Sequence, residues 1–498
     1  MSNMKFLMRR ERDALGEMDI PAQAFYGIHT MRSLNNFTFS AARLPEPFIR
    51  AFGQVKQACA QTNMELGYLD PQKGEAIISS CKGLIQGVLS HYIVVDPFQG
   101  GSGTSTNMNV NEVIANCAEQ LLDGNLGEYR LVHPIHHVNM HQSTNDVYPT
   151  ALKVAALQLL VTLENEVAKL EQALQKKEIE FKNIVKVGRT ALVDAVPMTL
   201  GMTFAAFAHA VARDRRRMSE SFECIKRVNL GGTAIGTGSG APRDYVLKVT
   251  ENLRNICGLP ISRAENLVDA TQNMDSLVEI SGVLKAYASN LMKLSSDIRL
   301  LSSGPYAGIG EISLESLQAG SSIMAGKINP VMPEAVTQVA IKVMGNDQTI
   351  GFAAGMGQLE LNHLLPLLAH TLLESLMLLI NATTGFAVHC IPGIKANRDK
   401  CSSHVEQSYA LATILVPVLG YERVERLVAA AKASGRSVRQ EIIRRNIASR
   451  EVVDTLLAPQ RLCTPGFTAD EFQGVNIEAG PGAEEKTEIL PRRNAYGR

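Results

Sequence analysis

The chain has 498 residues, of which 45% are hydrophobic and 20% are charged, and its 49 basic and 49 acidic side chains cancel at neutral pH. A chain of this length and apolar content can bury the cores of two or three globular domains. Because the net charge is zero and no basic cluster stands out, we expect neither nucleic acid nor an anionic membrane as a partner.

Three features bear on the compartment. Residues 1–7 lack the long apolar core of a secretory signal. The longest apolar run, residues 364–380, is interrupted by Pro366, His370 and Glu374, which predicts a buried helix rather than a membrane span. The eight cysteines are scattered without a Cys-x-x-Cys pair, which indicates free thiols in a reducing compartment. We therefore expect a cytoplasmic protein.

The first polar loop in chain order lies within residues 96–112, which read Asp-Pro-Phe-Gln-Gly-Gly-Ser-Gly-Thr-Ser-Thr-Asn-Met-Asn-Val-Asn-Glu. Its glycines and hydroxyl residues argue against a packed helix, so we expect a loop and then a helix from near Asn107. Backbone amides, hydroxyls and the helix N-terminus could converge there on an anion. A capping loop without a ligand would give the same pattern.

A second polar loop follows at residues 142–150, Gln-Ser-Thr-Asn-Asp-Val-Tyr-Pro-Thr. Ser143, Thr144 and Asn145 are good helix-capping residues, and capping alone is a sufficient structural reason for them. A helix N-terminus rich in hydroxyls is also a ready carboxylate site, so capping and ligand binding can coincide here.

Three long helices are predicted in the middle of the chain, from about Pro149 to Val388. A second one should begin after Pro197. The first and third carry apolar residues at steps of three and four, namely Leu152, Ala156, Leu159, Leu163, Val167, Leu170 and Leu174, and then Met274, Leu277, Leu284, Tyr287, Leu291, Leu294 and Ile298. Such seams with few strand signals predict an all-α bundle, and the Gly-rich loops between the helices favour a globular bundle over an extended coiled coil.

The most informative loop runs from Gly320 to Glu334, Gly-Ser-Ser-Ile-Met-Ala-Gly-Lys-Ile-Asn-Pro-Val-Met-Pro-Glu. Its two prolines stop any helix that enters from the N-terminal side, and Pro333 suits the first turn of the next helix. Lys327 would offer a point charge to a carboxylate, while Asn329 and the serine amides offer directional donors. This pattern indicates a loop that holds an anion.

Together these motifs resemble the aspartase/fumarase superfamily of elimination enzymes. The resemblance is carried by Gly-Ser-Ser-x-Met-x-x-Lys-x-Asn-Pro, the two polar loops, the Gly-Arg-Thr run at residues 188–190, residues 355–362, and an N-terminal segment in which Arg32 takes the arginine position. It covers the chain from Arg9 to about Phe467. The residues of these motifs are more similar to those of aspartases than to those of fumarases, which usually have a second serine at the position of Thr144.

The resemblance implies an all-α, three-domain fold with a long central helical bundle. We expect an N-terminal helical domain at residues 1–148, the bundle with the signature loop at 149–390, a small helical C-terminal domain at 391–467 and a loosely ordered tail at 468–498. It also implies a homotetramer whose sites draw residues from three chains. The activity implied is that of a carbon–nitrogen lyase, which would convert L-aspartate to fumarate plus ammonia.

The chemistry requires a base for a weakly acidic proton beside a carboxylate, and donors around that carboxylate as it takes up charge. The resemblance places Ser321 at the base position, and a serine base needs backbone amides and the Lys327 charge to stabilise its alkoxide. The implied substrate-binding positions are Thr104, Ser143, Thr144, Asn145, Thr190, Ser322, Met324, Lys327 and Asn329, with Glu334 and Ala191 in supporting positions. No metal or organic cofactor is needed, and His133, His136, His137 and His141 lack the paired spacing of a metal site.

Three departures from the family pattern bear on the substrate. Ala191 replaces a histidine or glutamine, Ala325-Gly326 replaces a proline and a small residue, and His133-Pro-Ile-His-His replaces His-Pro-Asn-Asp. A methyl group cannot hydrogen-bond an ammonium but leaves room for a trimethylammonium. The alternatives are therefore an ergothionase-like elimination of trimethylamine from a histidine betaine, then fumarate hydratase, then a catalytically silent structural relative. The intact Ser321, Lys327 and Asn329 argue against the last. Ala191 is also compatible with aspartate if Asn145 and Thr104 hold the ammonium.

Overall fold

The computed structural model describes residues 7–477 and confirms the predicted all-α class. The helices are α1 (Ile28–Asn36), α2 (Glu46–Glu65), α3 (Pro71–Ile85), α4 (Thr104–Leu121), α5 (Thr144–Phe181), α6 (Leu200–Ile225), α7 (Arg243–Cys257), α8 (Leu267–Gln272), α9 (Asp275–Leu301), α10 (Val331–Gly355), α11 (Leu365–Gly385), α12 (Arg398–Gln407), α13 (Ala410–Ile414), α14 (Val416–Leu419), α15 (Tyr421–Ser434), α16 (Val438–Arg444), α17 (Arg450–Leu456) and α18 (Pro459–Leu462). Single helical turns of 3₁₀ or π type occur at Ser90–Tyr92, Gly101–Gly103, Pro134–Val138, Phe386–Cys390 and Ala469–Phe472.

The strands form short pairs. They are β1 (Met8–Asp13), β2 (Gly16–Pro21), β3 (Val185–Thr190), β4 (Val193–Thr199), β5 (Arg227–Val228), β6 (Ser262–Arg263), β7 (Ile312–Ser313) and β8 (Lys395–Ala396). β1 with β2, β3 with β4 and β7 with β8 are antiparallel, whereas β5 with β6 is parallel. Two-stranded pairs are too small to form a core, so the apolar interior is built by helices.

The described residues divide into two compact units. The first comprises the chain up to Val167, then Arg213–Met292 and Gln338–Thr383; the second comprises Ala168–Ala212, Lys293–Thr337 and the chain from Thr384 onward. The predicted boundaries at 148/149 and 390/391 stay a prediction. Of the predicted tail, residues 478–498 lie outside the described residues.

The long helices follow the predicted apolar spacing. α5 has 38 residues and α9 has 27, and every residue of their two predicted seams is buried. α6 begins at Leu200, three residues after Pro197, as expected. Burial of large aliphatic side chains along a continuous stripe stabilises each helix where propensity alone would not.

The N-terminus of α1 is anchored by a buried carboxylate from α4. Glu112 accepts hydrogen bonds from the backbone N–H groups of Gly27 (2.8 Å), His29 (2.8 Å) and Thr30 (3.1 Å), and from the Thr30 hydroxyl. Burial raises the pKa of Glu112, although these donors oppose the shift. Because a helix N-terminus leaves its first N–H groups unpaired, Glu112 satisfies them and the helix dipole at once. Arg32, on the same helix, forms an ion pair with Asp13 (2.6 Å).

The second unit contains its own core around the C-terminal helices. Its members come from residues 405–475 together with Val187 of β3, and they include Leu411, Leu427 and Ile442, each 3% exposed or less. The short helices α13 to α17 supply this core from one face each. The hairpin of β3 and β4 is therefore held against the C-terminal helices by apolar packing through Val187.

Two of the described helical segments, Thr144–Phe181 and Leu365–Cys390, are long and apolar enough by composition to cross a membrane. Within their most apolar windows 83% and 61% of the residues are buried inside the protein. A mostly buried helix of this kind is typical of a protein core. All eight cysteines are free thiols.

Candidate active site

The signature loop occupies the irregular segment between β7 and α10 and closes on its own backbone. The N–H of Ser321 donates to the carbonyl of Lys327 (3.1 Å), and the N–H of Lys327 donates to the carbonyl of Met324 (3.2 Å). A side chain on Gly320 would overlap the Lys327 carbonyl oxygen. The glycine is therefore required for the close approach that brings Ser321 and Lys327 together.

The hydroxyl of Ser321 lies at the centre of this turn. Its Oγ accepts from the N–H groups of Ile323 (3.2 Å) and Met324 (3.1 Å). Two backbone donors aimed at one oxygen would stabilise negative charge there, because they need no reorganisation when the charge develops. Ser321 is half-buried, and it is the predicted base position.

The other predicted residues of the loop are exposed in the single chain. Ser322, Met324, Lys327 and Asn329 all face solvent. Glu334 is half-buried in the first turn of α10, where its N–H donates to the carbonyl of Pro330 (3.2 Å). The loop therefore presents its polar groups outward.

The hairpin of β3 and β4 was not predicted from the sequence, in which residues 188–190 served only as a family motif. Thr190 pairs with Val193, so Ala191 and Leu192 form a two-residue turn, and their φ angles are 51° and 62°. Positive φ at both positions is typical of a type I′ turn, which strongly prefers asparagine, aspartate and glycine. The dipeptide Ala-Leu therefore gives no turn signal in the sequence. The turn places Thr190 and Ala191 at the exposed tip of the hairpin.

A buried carboxylate fixes the base of this hairpin. Glu311 is fully buried and lies 3.1 Å from Nζ of Lys186, 2.8 Å from Nη2 of Arg189 and 3.1 Å from Nδ1 of His404. Burial pushes its pKa up, but Arg189, Lys186 and His404 together hold the pKa of Glu311 below its ordinary value. No local pattern pointed to Glu311, because its partners Lys186, Arg189 and His404 lie far from it in the chain on either side.

In the first unit the glycine-rich loop leads directly into α4. The helix begins at Thr104, slightly earlier than expected, and the Thr104 hydroxyl donates to the carbonyl of Gly101 (2.7 Å). Gly103 has φ 96°, and a side chain there would collide with the ring of Tyr148. The glycine thus lets the N-terminus of α4 approach α5 closely.

The second polar loop caps α5, as predicted. Ser143 Oγ accepts from the N–H of Asn145 (3.2 Å), and Thr144 Oγ1 accepts from Nδ2 of Asn107 on α4 (3.1 Å). The side chain of Asn145 donates to the carbonyl of Ala234 (2.8 Å). The bond from Asn107 to Thr144 joins the N-terminal turns of α4 and α5, which carry Thr104 and Ser143.

Asp146, which the sequence analysis passed over, holds this corner together. It is fully buried and accepts from the N–H groups of Ser143 (2.9 Å), Gly231 (3.1 Å) and Thr233 (3.1 Å). Burial raises its pKa to about 6 against the effect of these donors. The residue ties the start of α5 to the backbone that follows β5.

A buried lysine lies beneath the same corner. Lys56 of α2 is fully buried, and its Nζ donates to Asn139 Oδ1 (3.0 Å) and Gln142 Oε1 (2.8 Å). Asn139 Oδ1 also accepts from Nδ2 of Asn107 (3.1 Å), so the network reaches Thr144. Burial lowers the pKa of Lys56 to about 8. Its partners are amide oxygens, which hold the cation without a directly paired carboxylate.

The histidines near this loop serve local structure. His133 Nδ1 accepts from the N–H groups of Ile135 (3.1 Å) and His136 (3.3 Å), and His137 Nδ1 accepts from the N–H of His133 (2.9 Å). Among residues 7–477 no group of three or more histidine, cysteine, aspartate or glutamate side chains is arranged to hold a metal ion.

The predicted site residues thus form two constellations. Thr104, Ser143, Thr144 and Asn145 gather at adjoining helix starts in the first unit, and Thr190, Ala191 and the signature loop belong to the second. A serine flanked by amide donors, on a loop that also carries a lysine, is suited to removing a proton beside a carboxylate. On an all-α scaffold, this combination of serine, amide donors and lysine is the one expected of an elimination enzyme.

Comparison with known proteins identifies the family. The family profile described as "Lyase" matches residues 16–345, and the profile "Fumarase C C-terminus" matches residues 411–464. Aspartate ammonia-lyase from a Bacillus species is 42% identical over 92% of this chain and 98% of its own length, and the one from Pseudomonas aeruginosa is 45% identical over 92% and 97%.

Solved structures agree with the sequence relatives. The chain is similar to a cobalt-bound fumarate lyase:delta crystallin from Brucella melitensis, with a TM-score of 0.88 and 44% identity over 92% of this chain and 100% of that one. It is also similar to a class II fumarase from Schistosoma mansoni, with a TM-score of 0.87 and 33% identity over 93% and 100%. The chain belongs to the lyase family that contains aspartases and fumarases, as the sequence motifs predicted.

The lowered pKa of Lys56 gives a prediction for stability. Between pH 8 and about 10.5 the unfolded chain binds more protons at this lysine than the folded chain, so the free energy of unfolding should rise with pH across that window. In Lys56→Met this rise should disappear. Gln142 Oε1 loses the ammonium donor, which should lower stability at pH 7 by about 1–3 kcal/mol.

Denaturant unfolding of wild type and variant at pH 7 to 10 measures this difference. Lys82→Met removes an exposed lysine from α3 and controls for the loss of one positive charge. If the free energy of unfolding of wild type and of Lys56→Met changed in parallel from pH 8 to 10, this would contradict the assignment of a buried lysine with a lowered pKa at position 56.

Proposed function

We propose that this lyase eliminates ammonia from L-aspartate to give fumarate. The observation that carries the proposal is the signature loop, in which two backbone amides converge on the hydroxyl of Ser321. Support comes from the relatives named aspartate ammonia-lyase, which are 40–45% identical over more than nine tenths of the chain. The activity named for those relatives fits the residues present here.

In this proposal Ser321 removes the proton from the carbon beside the β-carboxylate. Its alkoxide is stabilised by the N–H groups of Ile323 and Met324 and by the charge of Lys327. The electron pair left on carbon moves onto the carboxylate, which becomes a dianion before ammonia leaves. Hydroxyl donors around that carboxylate lower the barrier most, because they bind the transition state more tightly than the substrate. We assign this task to Thr104, Ser143, Thr144 and Ser322; the hydroxyl of Thr104 would exchange its bond to the Gly101 carbonyl for one to the substrate.

The second carboxylate and the ammonium need partners of their own. We assign the carboxylate to Lys327 and Asn329, with Met324 against the carbon chain and Glu334 in support. Asn145 and Thr104 are the polar candidates for the ammonium, with Thr190 as a further one, since Ala191 offers no hydrogen bond. No step in this scheme requires a metal or an organic cofactor.

The proposed site works only if the signature loop is covered. Ile323 and Ile328 are 87% and 55% exposed in the single chain, and Leu192 at the tip of the hairpin is 72% exposed. Apolar side chains that flank polar functional loops are typical of surfaces buried in an assembly. We therefore propose a homotetramer, with each site completed by residues of neighbouring chains, that operates on a small-molecule amino acid in the cytoplasm.

The base role of Ser321 predicts a loss of turnover without a loss of structure. Ser321→Ala should reduce kcat for L-aspartate by about 10² to 10⁴-fold, the range expected for a positioned base. Ser316→Ala removes an exposed hydroxyl from the same irregular segment and should leave kcat unchanged. Steady-state formation of fumarate, read by its absorbance, and size-exclusion chromatography of each variant measure both effects. Near-normal turnover in Ser321→Ala would remove this residue from the base role.

Ala191 decides between ammonia and a bulky amine as the leaving group. If L-aspartate is the substrate, Ala191→Gln should keep or raise its turnover, because the added amide accepts an N–H of the small ammonium. If a trimethylammonium group leaves, the same side chain overpacks the space for its methyl groups and lowers turnover.

A substrate panel of L-aspartate, malate and a histidine betaine, applied to wild type and Ala191→Gln, separates these cases. We expect turnover of L-aspartate in wild type and no loss in the variant. Turnover of the betaine alone, diminished in Ala191→Gln, would overturn aspartate as the substrate and leave the lyase fold intact.

A further inference from the structure

A cavity of about 400 Å³ lies within the second unit, beside the hairpin of β3 and β4 and the end of α12. Its lining includes Arg189 and Asp194 from the hairpin, Gly308 from the loop before β7, and His404, Gln407 and Ser408. This volume is within the range of sites for small molecules. None of the residues assigned to catalysis lines the cavity.

The charges in the cavity are arranged as an adjacent pair of opposite sign. Arg189 and Asp194 are cross-strand partners, yet Nε of Arg189 lies 3.8 Å from Oδ1 of Asp194, which is longer than a hydrogen bond. Neither group therefore satisfies the other. Asp194 is also half exposed, whereas the guanidinium is only 16% exposed.

Arg189 retains donors for a ligand. Its Nη2 binds Glu311 (2.8 Å) and lies 3.4 Å from Nδ1 of His404, and its Nη1 makes only a long contact with the carbonyl of Val187 (3.4 Å). A guanidinium has five N–H groups, so the Nε–H and one N–H of Nη1 remain for a ligand. Because Glu311 fixes the guanidinium from behind, the remaining donors are held in place before any ligand arrives.

Two further groups add hydrogen-bonding capacity. His404 contacts Glu311 through Nδ1, which leaves Nε2 unused by that contact. Ser408 is buried, and its Oγ accepts from the N–H of Ala410 (3.1 Å), so its own O–H is available to donate. Because Nδ1 of His404 donates to Glu311, Nε2 of the neutral ring is an acceptor. The cavity thus offers a cation, the hydroxyl donor of Ser408 and the acceptor of His404 close to one carboxylate.

We propose that this cavity is a second binding site, specific for a free α-amino acid. The carboxylate of the ligand would bind Arg189 and Ser408, and its ammonium would bind Asp194 and Nε2 of His404. An α-amino acid carries both charges on one carbon, which matches the adjacent guanidinium of Arg189 and carboxylate of Asp194, whose own contact is too long for a hydrogen bond. A phosphate dianion fits less well, since Asp194 would repel it.

The location gives the site a connection to the proposed chemistry. Arg189 immediately precedes Thr190, and successive residues of a strand point to opposite faces, so the cavity and Thr190 lie on opposite faces of the hairpin. A ligand that holds Arg189 would restrict the hairpin that presents Thr190 and Ala191. This coupling rests on the proposed function, whereas binding in the cavity does not.

Binding can be measured on the full-length protein by saturation-transfer NMR with glycine, which carries both groups, and acetate, which lacks the ammonium. Saturating succinate occupies the proposed dicarboxylate site during both titrations. We expect glycine to bind more tightly than acetate. Asp194→Asn should weaken glycine about tenfold or more and leave acetate unchanged.

Two further variants complete the test. Glu425→Gln removes an exposed carboxylate of the same unit outside the cavity and should bind glycine as wild type does. Gln407→Trp fills the rim without touching the Glu311 cluster and should abolish glycine binding. Equal binding of glycine and acetate, or unchanged glycine binding in Asp194→Asn, would overturn the proposal, as would loss of glycine binding in Lys327→Met. Each of these measurements tests binding in the cavity even if L-aspartate proves not to be a substrate.

Discussion

The arrangement of the candidate site depends on the backbone closure of the signature loop. Gly320 has no side chain, so the carbonyl of Lys327 can approach and accept the N–H of Ser321. In the closed loop the N–H groups of Ile323 and Met324 donate to the Ser321 hydroxyl, and the Lys327 side chain lies on the same loop. Negative charge at Ser321 is therefore stabilised by backbone N–H groups, whose positions are fixed more firmly than those of a mobile side chain.

Buried carboxylates organise the polar segments around this chemistry. Glu112 caps α1, Asp146 gathers the start of α5, and Glu311 fixes the hairpin of β3 and β4. An ionised carboxylate is costly to bury unless donors surround it, and each of these has several. Each carboxylate thereby fixes the backbone segments that donate to it, because a neutral side chain of similar size would not satisfy all of these donors.

The sequence predicted those parts of the protein that rest on local pattern. Spacing of apolar residues located α5 and α9, Pro197 marked the start of α6, and the glycine and proline content located the signature loop. It missed the hairpin because Ala191 and Leu192 are poor residues for a type I′ turn. It also missed Asp146, Glu311 and Lys56, whose partners lie far away in the chain, so that no local spacing reveals them.

In the proposed assembly, a working site combines the signature loop of one chain with the helix starts of another. Mixed tetramers of Ser321→Ala and Thr104→Val, each almost inactive alone, test it most directly. If the two residues come from different chains, random assembly leaves roughly a quarter of the sites with both wild-type residues, and turnover of L-aspartate should recover to that level. Mixed tetramers no more active than the two variants measured separately would contradict a site shared between chains.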